Sequence, residues 1–191
     1  MSDTIFITGL ITGICLCSAV GFRIFLPFVI LSIFSDIYGV PVFLAEGFIS
    51  FTLFIVLMIL SLLEIAGYYN PWIDNMLDLI TTPLSLAAGI FMMSIFMDNV
   101  NPVIKWLISV IIGGGTSLNI HLMSVKGRAL ASTFRSGYGN TVFSTIELVS
   151  SIIVTIIAIY NPWLSVIFII IIVYLIIKFA ILNRKKGASV T

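Results

Sequence analysis

Six apolar stretches alternate with short polar connections along the chain, at about residues 5–26, 42–66, 79–97, 102–124, 141–160 and 163–182. A helix needs about 20 mostly apolar residues to cross a hydrocarbon core of about 30 Å, so each stretch predicts a transmembrane helix. The first runs on through Pro27 to about Phe34, too long for one straight crossing. Proline lacks the helix donor and clashes with the preceding turn, which predicts a break near Arg23–Pro27. The connection from Gly67 to Pro83 predicts a short interfacial helix. Trp72, Ile73, Leu77 and Ile80 share one side of it, and Asp74 and Asp78, four apart, share another, facing water.

Composition agrees with this pattern. Hydrophobic residues make up 60% of the chain and charged residues only 9%, against about 25% charged in a soluble domain. The net charge of +1 comes with no basic stripe to neutralise a phosphate backbone, so nucleic acid is not an expected partner. No basic residue precedes the first apolar run, so a retained first helix is expected rather than a cleaved signal peptide. Cys15 and Cys17 lie two apart inside that run, on different helix faces, and read as small core residues.

Lysine and arginine in short connections set orientation. Lys126, Arg128 and Arg135 follow span four, and Arg184, Lys185 and Lys186 follow span six. With six spans both groups fall on one side. The expectation is a multi-pass protein of the cell (inner) membrane with both termini cytoplasmic and residues 183–191 as a basic cytoplasmic tail. Tyr38, Trp72, Trp106, Tyr138, Tyr160 and Trp163 fall near span ends, where amphipathic rings settle at headgroup level.

The chain also repeats itself. Tyr-Asn-Pro-Trp occurs at 69–72 and at 160–163, and Tyr38-Gly39 with Val42-Phe43 returns as Tyr138-Gly139 with Val142-Phe143. A shift of one hundred places Gly9, Gly13, Cys17 and Gly21 on Ser109, Gly113, Ser117 and His121. Both series step by four and form small-residue stripes that let helix backbones approach closely. A single membrane domain over 1–191 follows, with repeat one at about 5–97 and repeat two at about 102–182. Three spans per copy predict two inverted three-helix repeats, an arrangement that recurs in transporters.

Ionisable residues within apolar stretches cost roughly 2.5–3.5 kcal/mol each on insertion scales and tend to face a protein interior or aqueous cavity. Arg23, Glu46, Glu64, His121 and Glu147 are the five here. Arg23 is expected toward the outer end of span one, where lipid phosphates are within reach. Glu46 and Glu64 lie near span ends, where snorkelling to an interface competes with a functional role. Glu147 lies two turns into span five and needs a partner, with His121, Arg128 and Arg135 as candidates. Gly113-Gly114-Gly115 allows either tight packing or unwound backbone near the midplane, and Asn119 brings an amide one turn further on. Asp74 and Asp78 are secondary candidates for gathering a cation.

Several segments taken together resemble the bacterial membrane family catalogued as domain of unknown function 4126. They are Gly21-Phe22-Arg23-Ile24-Phe25-Leu26-Pro27; Glu64 with Asn70-Pro71, Asp74, Asp78 and Pro83; Gly113-Gly114-Gly115 through His121; and Arg128, Ser132, Gly139-Asn140 and Glu147. Tyr68-Tyr69 departs from the more polar, often basic pair usual in that family. The resemblance implies a compact multi-spanning protein and supplies no activity.

The leading expectation is a small transporter or channel for an ion or small solute, proton- or cation-coupled. Its pathway would use Glu147, Arg23, Glu64, His121, Asn119 and Gly113–Gly115, with Glu46, Asp74, Asp78, Arg128 and Arg135 as secondary candidates. The alternatives are a lipid translocase or headgroup binder, with Arg23 outside and Arg128 and Arg135 inside meeting phosphates, and a non-transporting scaffold. No nucleophile–base set assembles from these residues, so an enzyme is not expected, and no cofactor or metal is implied. Candidate partners are the bilayer, a small ion or solute, and a second copy of the chain.

Overall fold

Asparagine followed by proline opens a helix three times in this chain, because proline's missing amide and fixed φ suit the first helical position. In the computed structural model, helices begin at Pro71, Pro102 and Pro162, directly after Asn70, Asn101 and Asn161. The Asn101 side chain accepts from the Val103 amide at 3.0 Å, and Asn161 accepts from Leu164 at 3.3 Å. The repeated Tyr-Asn-Pro-Trp is therefore first of all helix-start chemistry.

Residues 2–38, 48–97, 100–132 and 139–171, with Tyr174 and Lys178, are described, and every regular element among them is helical. The elements are α1 (Ser2–Phe22), α2 (Leu26–Tyr38), α3 (Phe48–Tyr68), α4 (Pro71–Phe96), α5 (Pro102–Ile108), a π-helical segment (Ser109–Gly114), α6 (Gly115–Ser132), α7 (Gly139–Tyr160) and α8 (Pro162–Ile171). Among the described residues five helical runs are long and apolar enough to cross a membrane: Thr4–Phe22, Phe51–Tyr68, Met76–Phe96, Pro102–Ala129 and Gly139–Tyr160. The sixth expected stretch is described as α8. Glu46, Arg135 and the basic tail lie outside the described residues.

The break in the first stretch falls at Arg23, Ile24 and Phe25. Pro27 is not the breaking point itself; it is the second residue of α2, where its missing donor would have been unpaired anyway. The backbone amides of Ile24 and Phe25, which lead into α2, donate to the two carboxylate oxygens of Glu64 on α3, at 2.9 and 3.2 Å. Glu64 is buried and does not snorkel to an interface. Glu64→Ala is expected to cost about 1–3 kcal/mol for each amide left unmet. The check is a lower thermal midpoint in detergent, with faster hydrogen exchange at residues 24 and 25. Glu64→Gln, which keeps one acceptor oxygen, should lose less.

After the break the chain turns back. Along α1, Gly9 lies against Phe96 and Cys17 donates to the Gly89 carbonyl at 3.3 Å, so α1 runs antiparallel to α4. Ser151 donates to the Ala19 carbonyl, and Cys15 faces the Pro162 carbonyl, so α7 is antiparallel to α1 as well. On α2, Phe28 packs on Phe91 and Phe34 meets Tyr160 edge-on at 5.8 Å, which carries α2 back toward the end where α1 began. α1 and α2 are thus a helical hairpin with its tip inside the bundle, not one crossing with a bend. This removes the premise of six simple passes on which the placement of both termini rested.

The extra reversal also corrects the expected inversion at its first element. His121 meets Thr81, and Arg128 meets Asp78, so α6 runs antiparallel to α4 and therefore parallel to α1. The first helices of the two copies point the same way. The two Tyr-Asn-Pro-Trp turns nevertheless lie at opposite ends of the bundle, one between α3 and α4 and the other between α7 and α8.

The separate interfacial helix expected over Gly67–Pro83 is also absent: α4 runs unbroken from Pro71 through Pro83 to Phe96. Thr81 and Thr82 donate to the Leu77 and Asp78 carbonyls just before the proline. The orientation is the reverse of the one expected, because Leu79 and Ile80 are 79% and 63% exposed while Asp74 is 7% exposed. A lipid-facing surface favours the apolar side, and the carboxylates find a cationic partner only inside.

The small-residue stripes of α1 and α6 both close on α4, with Gly89 at the crossing. A Cβ on Gly89 would lie 2.6 Å from the Gly113 carbonyl oxygen, and one on Gly21 would lie 2.6 Å from the Ser117 carbonyl oxygen. Cys15 and Cys17 are free, fully buried core residues.

A buried charge cluster at the hairpin tip

The C-terminus of α3, the N-termini of α4 and α7 and the C-terminus of α6 meet at the tip of the α1–α2 hairpin. At the centre lies Tyr68, 1% exposed. The Arg23 guanidinium stacks on its ring at 4.2 Å and that of Arg128 at 4.4 Å. Desolvated cation–π contacts are worth about 2 kcal/mol or more each, which helps hold two like charges beside one ring.

Arg128 is shared among three carboxylates. Its Nη1 donates to both Glu147 oxygens at 2.5 and 2.6 Å, its Nη2 donates to Asp78, and its Nε lies 3.1 Å from Asp74 Oδ1. Arg23 Nη2 donates to the Ser144 carbonyl at 3.0 Å and lies 3.6 Å from Glu147 Oε2. Helical spacing makes this possible. Asp74 and Asp78 are one turn apart on α4, Glu64 and Tyr68 on α3, and Asn140, Ser144 and Glu147 follow one face of α7. The Tyr68 carbonyl, last in α3, accepts from Asn140 Nδ2 at 3.4 Å and from Ser144 Oγ at 3.2 Å.

A hydroxyl chain leads away from the cluster. Tyr68 and Thr81 are 3.0 Å apart, and Thr81 and His121 Nε2 are 3.3 Å apart. His121 therefore ties α6 to α4.

The charges do not balance. Arg23 and Arg128 face Glu64, Asp74, Asp78 and Glu147, so two carboxylates lack a cationic counterpart if all six groups ionise. Asp74 precedes the apolar span that starts at Met76. Burial pushes its carboxyl up from the ordinary range, opposed by Arg128 and reinforced by Asp78 and Glu147.

Of the residues proposed from sequence, Arg23, Glu64, His121 and Glu147 come together here with Asp74, Asp78 and Arg128. Of the other candidates among the described residues, Asn119 and Gly113–Gly115 do not join them. Asn119 is exposed and donates to the Gly115 carbonyl of its own helix. Gly113 and Gly114 remain helical and packed, so the glycine run serves close approach and a π-helical segment rather than unwound backbone. Arg23 is fully buried rather than at an outer surface, and it shares Tyr68 with Arg128, so the two arginines cannot meet lipid phosphates on opposite faces.

Sequence reasoning missed Tyr68, Thr81, Asn140 and Ser144. Two of them carried a signal: Tyr68 lies one turn beyond Glu64 at the point of departure from the resembled family, and Asn140 stands in one of the resembling segments. Among the described residues no three histidine, cysteine or acidic side chains converge to hold a metal ion. No curated relative and no solved structure matches the sequence. The family model described as domain of unknown function DUF4126 matches residues 10–181, and the chain belongs to that family.

Proposed function

We propose that this protein is a small membrane transporter for an ion or small solute, working through the buried charge cluster. The observation that carries the reading is the tip of a broken helix, held inside the bundle among two arginines and four carboxylates. Non-helical backbone at membrane depth is tolerated where it is buried in protein or lines a cavity, and discontinuous helices with ionisable residues mark ion and substrate pathways. The excess of carboxylates favours a cationic substrate or coupling ion.

The cluster end is assigned to the cytoplasm of the cell membrane, because exposed Lys126 lies near the end of α6 that reaches the cluster. On that assignment α1 starts from the outer face, which revises the cytoplasmic N-terminus read from six spans. The inverted relation is kept for the α3–α4 and α7–α8 hairpins alone.

The test is current across solid-supported membranes carrying the reconstituted protein, after jumps in alkali cations, ammonium and small organic amines. Wild type should give a saturable current with at least one of these, reduced at least tenfold in Asp78→Asn. Currents no greater than those of empty liposomes across the set would refute the reading.

A further inference from the structure

We infer that the cluster binds a proton as its coupling ion and that Asp74 is the carboxyl that takes it, an inference that rests on the transport reading for its use but not for its test. Among the four carboxylates Asp74 is the least committed. Glu147 receives two hydrogen bonds from Arg128, Asp78 receives one, and Glu64 accepts two backbone amides. Asp74 Oδ1 is buried without a hydrogen bond, since Arg128 Nε lies 3.1 Å away but is not aligned to donate. Asn140, beside Asp74, is 4% exposed and has its own Oδ1 without a donor.

Four carboxylates face two guanidiniums here, an excess of negative charge that one bound proton reduces. Among the described residues, the buried atoms without partners at this site are the acceptors Asp74 Oδ1 and Asn140 Oδ1 and the donors Arg23 Nε, Arg23 Nη1 and Arg128 Nε. A buried carboxylate that gains a proton becomes a donor and loses its desolvation penalty in one step. A metal cation would need several oxygen ligands, and among the described residues the fully buried side-chain oxygens left unpartnered at this site are Asp74 Oδ1 and Asn140 Oδ1. The groups facing Asp74 are Asp78 on its own helix, Arg128 on α6, and Glu147 and Asn140 on α7. Tyr68 on α3 lies beyond Arg128, with Arg23 at the hairpin tip on the far side of its ring. Asp74 lies in the first turn of α4, at the bundle end, and its side chain keeps 9% exposure, through which bulk water exchanges the proton with the carboxyl. Release to the same water restores the carboxylate beside Arg128.

The experiment is infrared difference spectroscopy of the reconstituted protein between acid and alkaline pH, following the protonated-carboxyl band. Wild type labelled with carboxyl-13C aspartate should shift that band, and Asp74→Asn should abolish it while Asp78→Asn keeps it. The isotope shift in wild type is independent of whether any variant folds. No band at any pH, a band insensitive to aspartate labelling, or a band that survives Asp74→Asn would each overturn the assignment. So would a band that sodium displaces at constant pH, which would indicate a metal-cation site.

Stability gives a second readout. A carboxyl raised in the folded state contributes stability at low pH that is lost as pH rises through its folded value. The thermal midpoint should therefore fall with rising pH above the ordinary aspartate range, and this slope should flatten in Asp74→Asn. Solute current without the aspartate band would overturn this inference alone. A titrating Asp74 in a protein that carries no current would overturn the transport reading and leave the proton site standing.

Discussion

Arg128→Ala is expected to eliminate nearly all monodisperse protein when membranes are solubilised in mild detergent. Arg128 is the direct partner of Glu147, Asp78 and Asp74 and one of the two cations on Tyr68. Removing one partner of a buried pair costs about 3–5 kcal/mol, because the remaining charge stays buried without compensation. Here one deletion strands three carboxylates, and Arg23 at 3.6 Å from Glu147 is the remaining nearby cation. That loss is comparable to the whole stability of a domain, about 5–15 kcal/mol.

Arg128→Lys should recover only part of the protein, since a single ammonium cannot reproduce a planar fork reaching several carboxylates. The decisive comparison is a double-mutant cycle. Glu147→Gln and Arg128→Gln should each be strongly destabilising, and the double variant less so than their sum. Additive losses would mean that the pair does not act as a unit. Size-exclusion profiles and thermal midpoints of the four proteins supply the cycle.

The second large effect is expected at Gly89. A Cβ there would lie 2.5 Å from Ser117 Cβ and 2.6 Å from the Gly113 carbonyl oxygen. Neither atom is the free end of a flexible side chain, so the helices themselves must separate. Overpacking of this kind typically costs 1–3 kcal/mol, and the contact lies where the α1 and α6 stripes both reach α4. Gly89→Ala should therefore lower the thermal midpoint, and Gly89→Leu should abolish folding. Gly115→Ala is the internal control: a Cβ there meets nothing within 4 Å. Replacing glycine by alanine inside a helix then gains about 0.5–1 kcal/mol, so the midpoint should hold or rise. Equal losses at Gly89 and Gly115 would contradict the packing described.

The two glycines show how far the sequence could be read. Both lie in apolar helices, and nothing in the one-dimensional pattern separates the position that touches another backbone from the one that touches nothing. The step-of-four stripe on α1 and α6 correctly announced close approach. Its partner, α4, carries a shorter stripe of its own, Thr81, Ser85 and Gly89, also stepping by four and buried, and was not anticipated. The acidic pair at Asp74 and Asp78 shows the opposite failure. Amphipathic reasoning found the two faces of that helix correctly but assigned the wrong one to the interior, because water was assumed to be the carboxylates' solvent. Arg128, fifty residues away from Asp78, takes that role.

The sequence by itself determined what depends on composition and local chemistry. Low charge and long apolar runs require a membrane solvent. Asparagine–proline pairs start helices wherever they occur, and a first apolar stretch too long for one crossing, with a proline at position 27, announces an interruption, whereas Pro83 inside α4 makes none. Buried ionisable residues at fixed helical spacing guarantee that some polar interior exists. Only the tertiary structure decided that the chain reverses at Arg23, since a break in a helix does not state its angle. The carboxylate that fixes that reversal, Glu64, lies forty residues further along. The pairing of charges was likewise settled in three dimensions, because coulombic and hydrogen-bond partners are chosen by distance after the helices pack.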